Sequence, residues 1–369
     1  MKILLAPDKF KGSLSASEVC QALSKGIRRV NSNVAIISKP LADGGDGSLI
    51  VLDYYFQLET VTLIVNDPLF RPISASYKLA GDTAYVELAS ASGLVLLRPS
   101  ERNCMHTSSY GTGELLLDAI QRGAKKIHLF IGGSATNDGG MGIAQALGYR
   151  FRDKEDNLLQ PIGKHLGLVA SIDADNLNFD PSTIEIDVIC DVDNPFYGPN
   201  GAAYIYATQK GANPKEVALL DKGLKNFASI IQKTNLGEID VIPGSGAAGG
   251  VGGGAIAFLN AQLKSGIQTF LDITNIEDTL KDCDLIITGE GRLDQQTEQG
   301  KVISGVCSLA KKYAKPIIAV CGAADLSTES DLGLSAIYTV IERSNSLEEA
   351  MKYAFQKLSE IGMVIGKSV

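Results

Sequence analysis

Short apolar runs that stop at polar, glycine-rich loops recur along this chain, and a helical pattern often follows the loop. Lys2–Ala6, Val34–Ser38, Ile127–Ile131, Ile184–Ile189, Asp284–Thr288, Pro316–Val320 and Ile337–Thr339 read as strands, most of them the continuous apolar kind that a doubly covered parallel sheet requires. Helices are predicted from Ser15 or Ser17 to about Val30, and over Ser48–Phe56, Glu114–Arg122, Pro214 to about Lys233, Ala255–Leu263, Val302–Tyr313 and Leu347–Ile361. The Ser-Ala-Ser-Glu run before the first has capping-box character. Between Leu58 and Leu97 the rhythm changes. VTLIV, ISASYKLA, GDTAYVELA and GLVLL alternate between turn signals at Asn66-Asp67-Pro68 and Gly81-Asp82, as antiparallel strands do. The pattern therefore predicts an α/β chain of two domains. Residues 1–60 and 265–369 form one discontinuous parallel-sheet domain, and 61–264 an inserted mixed α/β domain with antiparallel strands.

The chemistry is concentrated where the apolar runs end. IHLFIGGSATNDGGMG, Ile127–Gly142, is strand, polar loop and helix start. Its glycines let backbone N–H groups approach an anion. Ser134, Thr136, Asn137 and Asp138 offer hydroxyls, an amide and a carboxylate to a polyol or a metal; the alternative is an ordinary turn in which they cap. Lys9, Lys11 and Ser13 follow the first strand, the position where α/β folds bind ligands. Asp43, Gly44 and Gly45 occupy the same position after the second. Asp191 and Asp193 are two apart, so an extended backbone points both the same way, which suits Mg²⁺ or a base that accepts a hydroxyl proton. Glu290, Arg292 and Asp294 lie in the loop after DLIIT, and Lys301 begins the next helix.

Two glycine motifs are weaker than they look. GSGAAGG contains a literal GxGxxG through Gly246 and Gly249, but Pro243 interrupts the approach and no acidic residue follows a second strand about 20 residues on. An anion cradle and close packing both remain open for it. GMVIGKS near the carboxyl terminus is one residue short of a P-loop and has no helix after it.

Composition narrows the partners. At 369 residues the chain exceeds one core, and 45% hydrophobic with 21% charged residues is ordinary for a globular protein. A net charge of −8 with no basic stripe and no tryptophan argues against nucleic acid, so anions must be held locally. Six cysteines without a CxxC pair read as free thiols of a reducing cytosol, and three scattered histidines suggest no zinc site. The opening apolar run is too brief for a signal peptide and no run is of membrane-spanning character, which predicts a cytoplasmic protein. No Ser-His-Asp order is visible. The residues by themselves reach a small-molecule enzyme of α/β class that handles anions, and phosphoryl transfer is chemistry that positioning and charge stabilisation can supply.

Taken in order, APDKFKGSLSA, LADGGDG, SSYGTGEL, IGGSATNDGGMG, CDVDNP, GSGAAGG and ITGEGRLDQQTEQGK resemble the bacterial glycerate kinase family of the first type, over essentially the whole chain. The resemblance implies ATP- and Mg²⁺-dependent phosphorylation of D-glycerate, usually to the 2-phosphate, with the 3-phosphate or another small hydroxy acid as alternatives. It implies two α/β domains, one Rossmann-like and discontinuous, with the site in the cleft between them. Under it, Asp191 activates the glycerate hydroxyl, with Asp193 as its alternative or a metal ligand. Lys11 or Arg292 binds the moving phosphoryl group or the glycerate carboxylate. Glu290 and Asp294 hold Mg²⁺ or nucleotide, while Lys9, Ser13, Asp43, Gly44, Gly45, Ser134, Thr136, Asn137, Asp138, Gly246, Gly249 and Lys301 line the substrates. The oligomeric state stays open, a homodimer included.

Overall fold

A computed structural model describes residues 1–45, 47–293, 302–325 and 332–369. It divides into two compact units: Met1–Asp43, Ile50–Tyr55 and Ser265–Val369 form the first, Gly44–Leu49 and Phe56–Lys264 the second.

The first unit holds β1 (Lys2–Pro7), β2 (Ala35–Ser38), β11 (Leu285–Leu293), β12 (Ile317–Ala324) and β13 (Ala336–Thr339), all parallel, in the order β2-β1-β11-β12-β13. Within the unit this is a 2-1-3-4-5 order, so the winding reverses between β1 and β11, the crevice where such sheets take ligands. Ile3, Leu4, Leu5 and Ala6 are all fully enclosed, which explains the unbroken apolar run. The helix Ala16–Val30 starts from a capping box in which Ser15 Oγ accepts the Glu18 N–H and Glu18 accepts the Ser15 N–H.

That helix crosses the helix Ala354–Ser368 at glycines. A Cβ on Gly26 would stand 1.9 Å from the Ser359 carbonyl oxygen, and one on Gly362 2.5 Å from that of Leu23. Gly26→Ala should lower stability by about 1–3 kcal/mol through overpacking, despite alanine's better helix propensity. An unchanged or raised melting temperature would show that the two helices separate without cost.

Two expectations for this unit need correction. β11 does not stop at Thr288 but runs through Leu293, because β12 continues beside it and pairs Arg292 with Ala323. Glu290 and Arg292 are therefore strand residues, not loop residues. The closing helix is two, Leu347–Lys352 and Ala354–Ser368, parted at Tyr353; the GMVIGKS segment lies inside the second. Asp294 and Lys301 lie outside the described residues.

The second unit carries β3 (Glu59–Asn66), β4 (Pro72–Ala80), β5 (Thr83–Glu87), β6 (Lys126–Phe130), β9 (Glu185–Ile189) and β10 (Gln262–Lys264), ordered β10-β9-β6-β5-β4-β3. β3, β4 and β5 pair antiparallel; β5, β6, β9 and β10 pair parallel. Ala84, Val86, Ile127, Leu129, Ile186 and Val188 point from one sheet face into a core shared with the helices Tyr110–Gln121 and Ala247–Leu259. A second core gathers Phe151, Phe196, Phe227 and Phe258, and β7 (Arg150–Arg152) with β8 (Ser171–Asp173) makes a small ribbon. GLVLL is not a strand: Leu94–Leu96 is a 3-10 turn with Val95 exposed.

The glycine block is also a correction. The helix there begins at Ala247, not Ala255, and is kinked by left-handed φ values of 55°, 74° and 91° at Ala248, Gly249 and Gly250. The glycines are spent on packing. A Cβ on Gly249 would lie 2.0 Å from Thr136 O, one on Gly254 2.2 Å from Gly139 O, and one on Gly246 2.2 Å from Pro195 O. Gly246 and Gly249 thus bring the backbone of this segment against the loops after β6 and β9.

On the opposite sheet face His128 stacks on Tyr85 at 5.2 Å, and its Nδ1 is 3.6 Å from Asp187, which Lys264 binds at 2.8 Å. Burial pushes the imidazole down to about 4, with Asp187 opposing. The histidine is neutral in the fold and protonates first in the unfolded chain, so its contribution is present above about pH 6.5 and is lost as pH falls towards 4. Roughly 2 kcal/mol should go by pH 5. Denaturant midpoints should fall over that window, and less steeply in His128→Phe; identical slopes would remove His128 from the account.

Candidate functional site

Each unit gathers polar groups at the carboxyl ends of its parallel strands. In the first, β1 ends at the switch point on Asp8, a residue that sequence pattern did not single out. Its N–H donates to Gly289 O, midway along β11 (2.8 Å), and the residue is only 6% exposed. Burial pushes the Asp8 carboxyl up to about 7; Lys9 opposes, while Asp43 and Glu290 push the same way. Lys9 Nζ stands 4.0 Å from Asp8 and 3.9 Å from Asp43. Three carboxylates and an ammonium thus share one neighbourhood, with Glu290 itself buried. Lys11 and Arg292 are exposed, and a Cβ on Gly291 would sit 3.3 Å from the Lys11 backbone nitrogen. Ser13 turns away: its hydroxyl donates to Met351 O at 3.0 Å. Gly44, buried with φ 83°, and Gly45, whose carbonyl accepts the Ser48 hydroxyl at 2.7 Å, shape the turn after Asp43.

Among the described residues no three His, Cys, Asp or Glu side chains converge as a ready metal cage. Mg²⁺ commonly takes one or two carboxylates and completes its shell with water and substrate phosphates. Asp8 with Glu290 or Asp43 fits that mode, since a cation there offsets the burial and repulsion that hold the Asp8 carboxyl high.

In the second unit β6 and β9 are neighbours, with Phe130 opposite Ile189, so the loops that follow them leave the same sheet edge. The Ser134–Asp138 loop is not solvated: Thr136, Asn137 and Asp138 are fully enclosed and Ser134 nearly so. The expectation that all four face a ligand is corrected for Asp138. Its carboxylate accepts the Ser109 N–H (2.7 Å) and hydroxyl (2.8 Å), the Gly140 N–H (3.3 Å) and the Gly142 N–H (3.2 Å). Burial pushes this carboxyl up while those donors pull it down. Asp138 is a brace between two loops. Ser134 and the Thr136 carbonyl instead receive Lys210, a buried lysine whose Nζ lies 2.6 Å from Ser134 Oγ and 2.7 Å from Thr136 O. Thr136 Oγ1, both ends of the Asn137 amide and Ser245 Oγ are enclosed without a hydrogen-bond partner among the described residues, polar capacity that the described fold does not use.

Asp191 and Asp193 do not share a strand face. β9 ends at Ile189, and the chain beyond leaves Asp191 half-buried and Asp193 exposed. The enclosed carboxylate is Asp191. The loop is locked in place by the Gly246 N–H, which donates to Asn194 O at 2.9 Å, and by the Asn194 amide, which donates to Asn200 O at 2.9 Å. Asp8 and Lys210 were legible as residue types but not as site members, because burial of a charge has no sequence signature. Among the described residues no helix is long and apolar enough to cross a membrane.

Comparison with known proteins agrees across the whole length. The family described as "Glycerate kinase family" matches residues 3–369. The glycerate 2-kinase of Escherichia coli strain K12 is 42% identical over 362 residues, 97% of this chain and 95% of the relative. A glycerate kinase of Halalkalibacterium halodurans is 44% identical over 359 residues, 95% of this chain and 93% of the relative. The crystal structure of a candidate glycerate kinase 2 from Salmonella typhimurium LT2 superposes with a TM-score of 0.86 at 40% identity, covering 100% of this chain and 98% of that one. With the parallel-sheet unit, the mixed-sheet unit and their polar strand ends in place, the chain belongs to the glycerate kinase family.

Proposed function

We propose that this enzyme transfers the γ-phosphoryl group of ATP to the 2-hydroxyl of D-glycerate. The observation that carries the reading is the whole-chain similarity to named glycerate kinases, a 2-kinase among them. The hydroxyl oxygen bonds to the γ-phosphorus, the bond from that phosphorus to the bridging oxygen breaks, and ADP leaves. The hydroxyl proton passes to Asp191, the more enclosed of the two carboxylates after β9. Asp193, exposed, is left to a supporting or metal role. The Asp8, Lys9, Asp43 and Glu290 neighbourhood, together with Lys11 and Arg292, takes the polyphosphate end of the nucleotide. Mg²⁺ held there supplies charge neutralisation on the transferring phosphates. Enclosed but unpartnered Thr136 and Asn137 support a ligand role for the loop after β6. The six free thiols support a cytoplasmic setting.

ADP release should require D-glycerate and a divalent cation. L-glycerate and tartronate, run beside it, should be poor acceptors, and a chelator should abolish turnover until Mg²⁺ is restored. Faster ADP release with another hydroxy acid would move the reading to that acid, and turnover that survives chelation would remove Mg²⁺.

A further inference from the structure

Lys210 is 3% exposed, and among the described residues no carboxylate lies within ion-pair distance of its Nζ. It closes a 3-10 turn, Thr208–Lys210; the following Gly211 has a left-handed φ of 92°, and a Cβ there would also meet Arg102 O at 1.8 Å. Its own carbonyl accepts the Cys104 N–H at 3.1 Å. The backbone of Lys210 therefore fixes the 102–104 segment, and its side chain reaches across to the loop after β6. An ammonium buried against only two neutral acceptors is a poor stabilising device, and an apolar chain of similar length often does better in such a place. What this charge does hold is Ser134 Oγ and the Thr136 carbonyl, which flank the enclosed Thr136 hydroxyl and lead directly to the unpartnered Asn137 amide.

We propose that Lys210 is a positioning residue for the phosphoryl transfer, clamping the Ser134–Asn137 turn in its working shape through Ser134 Oγ and Thr136 O. The inference rests on the glycerate kinase reading above. Burial lowers the Lys210 ammonium to about 8, and the groups that face it, the Cys104 thiol and the Asp138 carboxyl, act the other way. The unfolded lysine titrates near 10.5. Between those values the unfolded chain binds the extra proton, so this group adds to fold stability as pH rises. The clamp loses its charge over the same window. Activity and stability must then respond to alkali with opposite sign, which a purely structural lysine would not produce.

The test compares wild type, Lys210→Met and Lys210→Arg with D-glycerate and MgATP. Wild-type kcat/KM should decline above about pH 8 without a parallel fall in melting temperature. Lys210→Met should melt no lower than wild type yet lose about 100-fold in kcat/KM, the order that a misplaced loop costs. Lys210→Arg, which stays charged, should recover part of the activity and shift the alkaline decline upward. Folded Lys210→Met within about threefold of wild type would overturn the proposal. So would a wild-type profile flat between about pH 7 and 9.5, a result that stands whether or not the variants fold. Wild-type protein without glycerate turnover would instead sink the kinase reading.

Discussion

Asp191→Asn should reduce turnover of D-glycerate by about 10²–10⁴-fold, the usual worth of a positioned base, with much less change in glycerate KM. Asparagine keeps the size and hydrogen-bonding reach of the side chain but cannot take a proton at neutral pH, so the loss belongs in kcat. The choice of Asp191 over Asp193 follows from the end of β9 at Ile189, which leaves the first half-buried and the second exposed. Asp193→Asn should therefore be the milder variant. Steady-state kinetics on folded protein decide it. Equal kcat for Asp191→Asn and wild type would remove the base role, and a larger loss at Asp193 would transfer it.

Asp138→Ala should unfold the second unit or leave it several kcal/mol less stable. The substitution strips the acceptor from Ser109 N–H and hydroxyl, Gly140 N–H and Gly142 N–H, all in buried surroundings. Each buried donor left unsatisfied costs about 1–3 kcal/mol, against a total stability of about 5–15 kcal/mol for a typical domain. Denaturant titration and limited proteolysis report the effect. If Asp138 served a substrate or a metal instead, the variant would melt like wild type and lose only activity.

The contrast between these two aspartates shows what sequence can and cannot convey. Periodicity located β1, β6 and β9 to within a residue or so because each is a short, largely apolar run bounded by polar loops, and it separated the antiparallel β3–β5 by their alternation. It placed the polar loops at strand ends, where the topology keeps them. It did not distinguish a loop that meets solvent from one folded into the core. Asp138 and Asp191 carry the same functional group after similar strands, yet one is fully enclosed among four donors and the other is half-buried. The same blindness concealed Asp8 and Lys210, charges whose interest lies in their burial. Glycine misled in a second way: the block around Gly249 looks like a phosphate cradle, but Thr136 O and Gly139 O occupy the space that side chains would fill. The extension of β11 through Glu290 and Arg292 depends on β12 beside it, a partner that local pattern does not name.

The most direct test of the central claim is a ³¹P NMR spectrum of the purified protein with MgATP and D-glycerate. A new phosphomonoester resonance should appear, split into a doublet by one carbon-bound proton, as the 2-phosphate requires. A triplet would contradict the assigned hydroxyl. No new phosphomonoester from folded, MgATP-supplied protein would contradict the glycerate kinase reading itself.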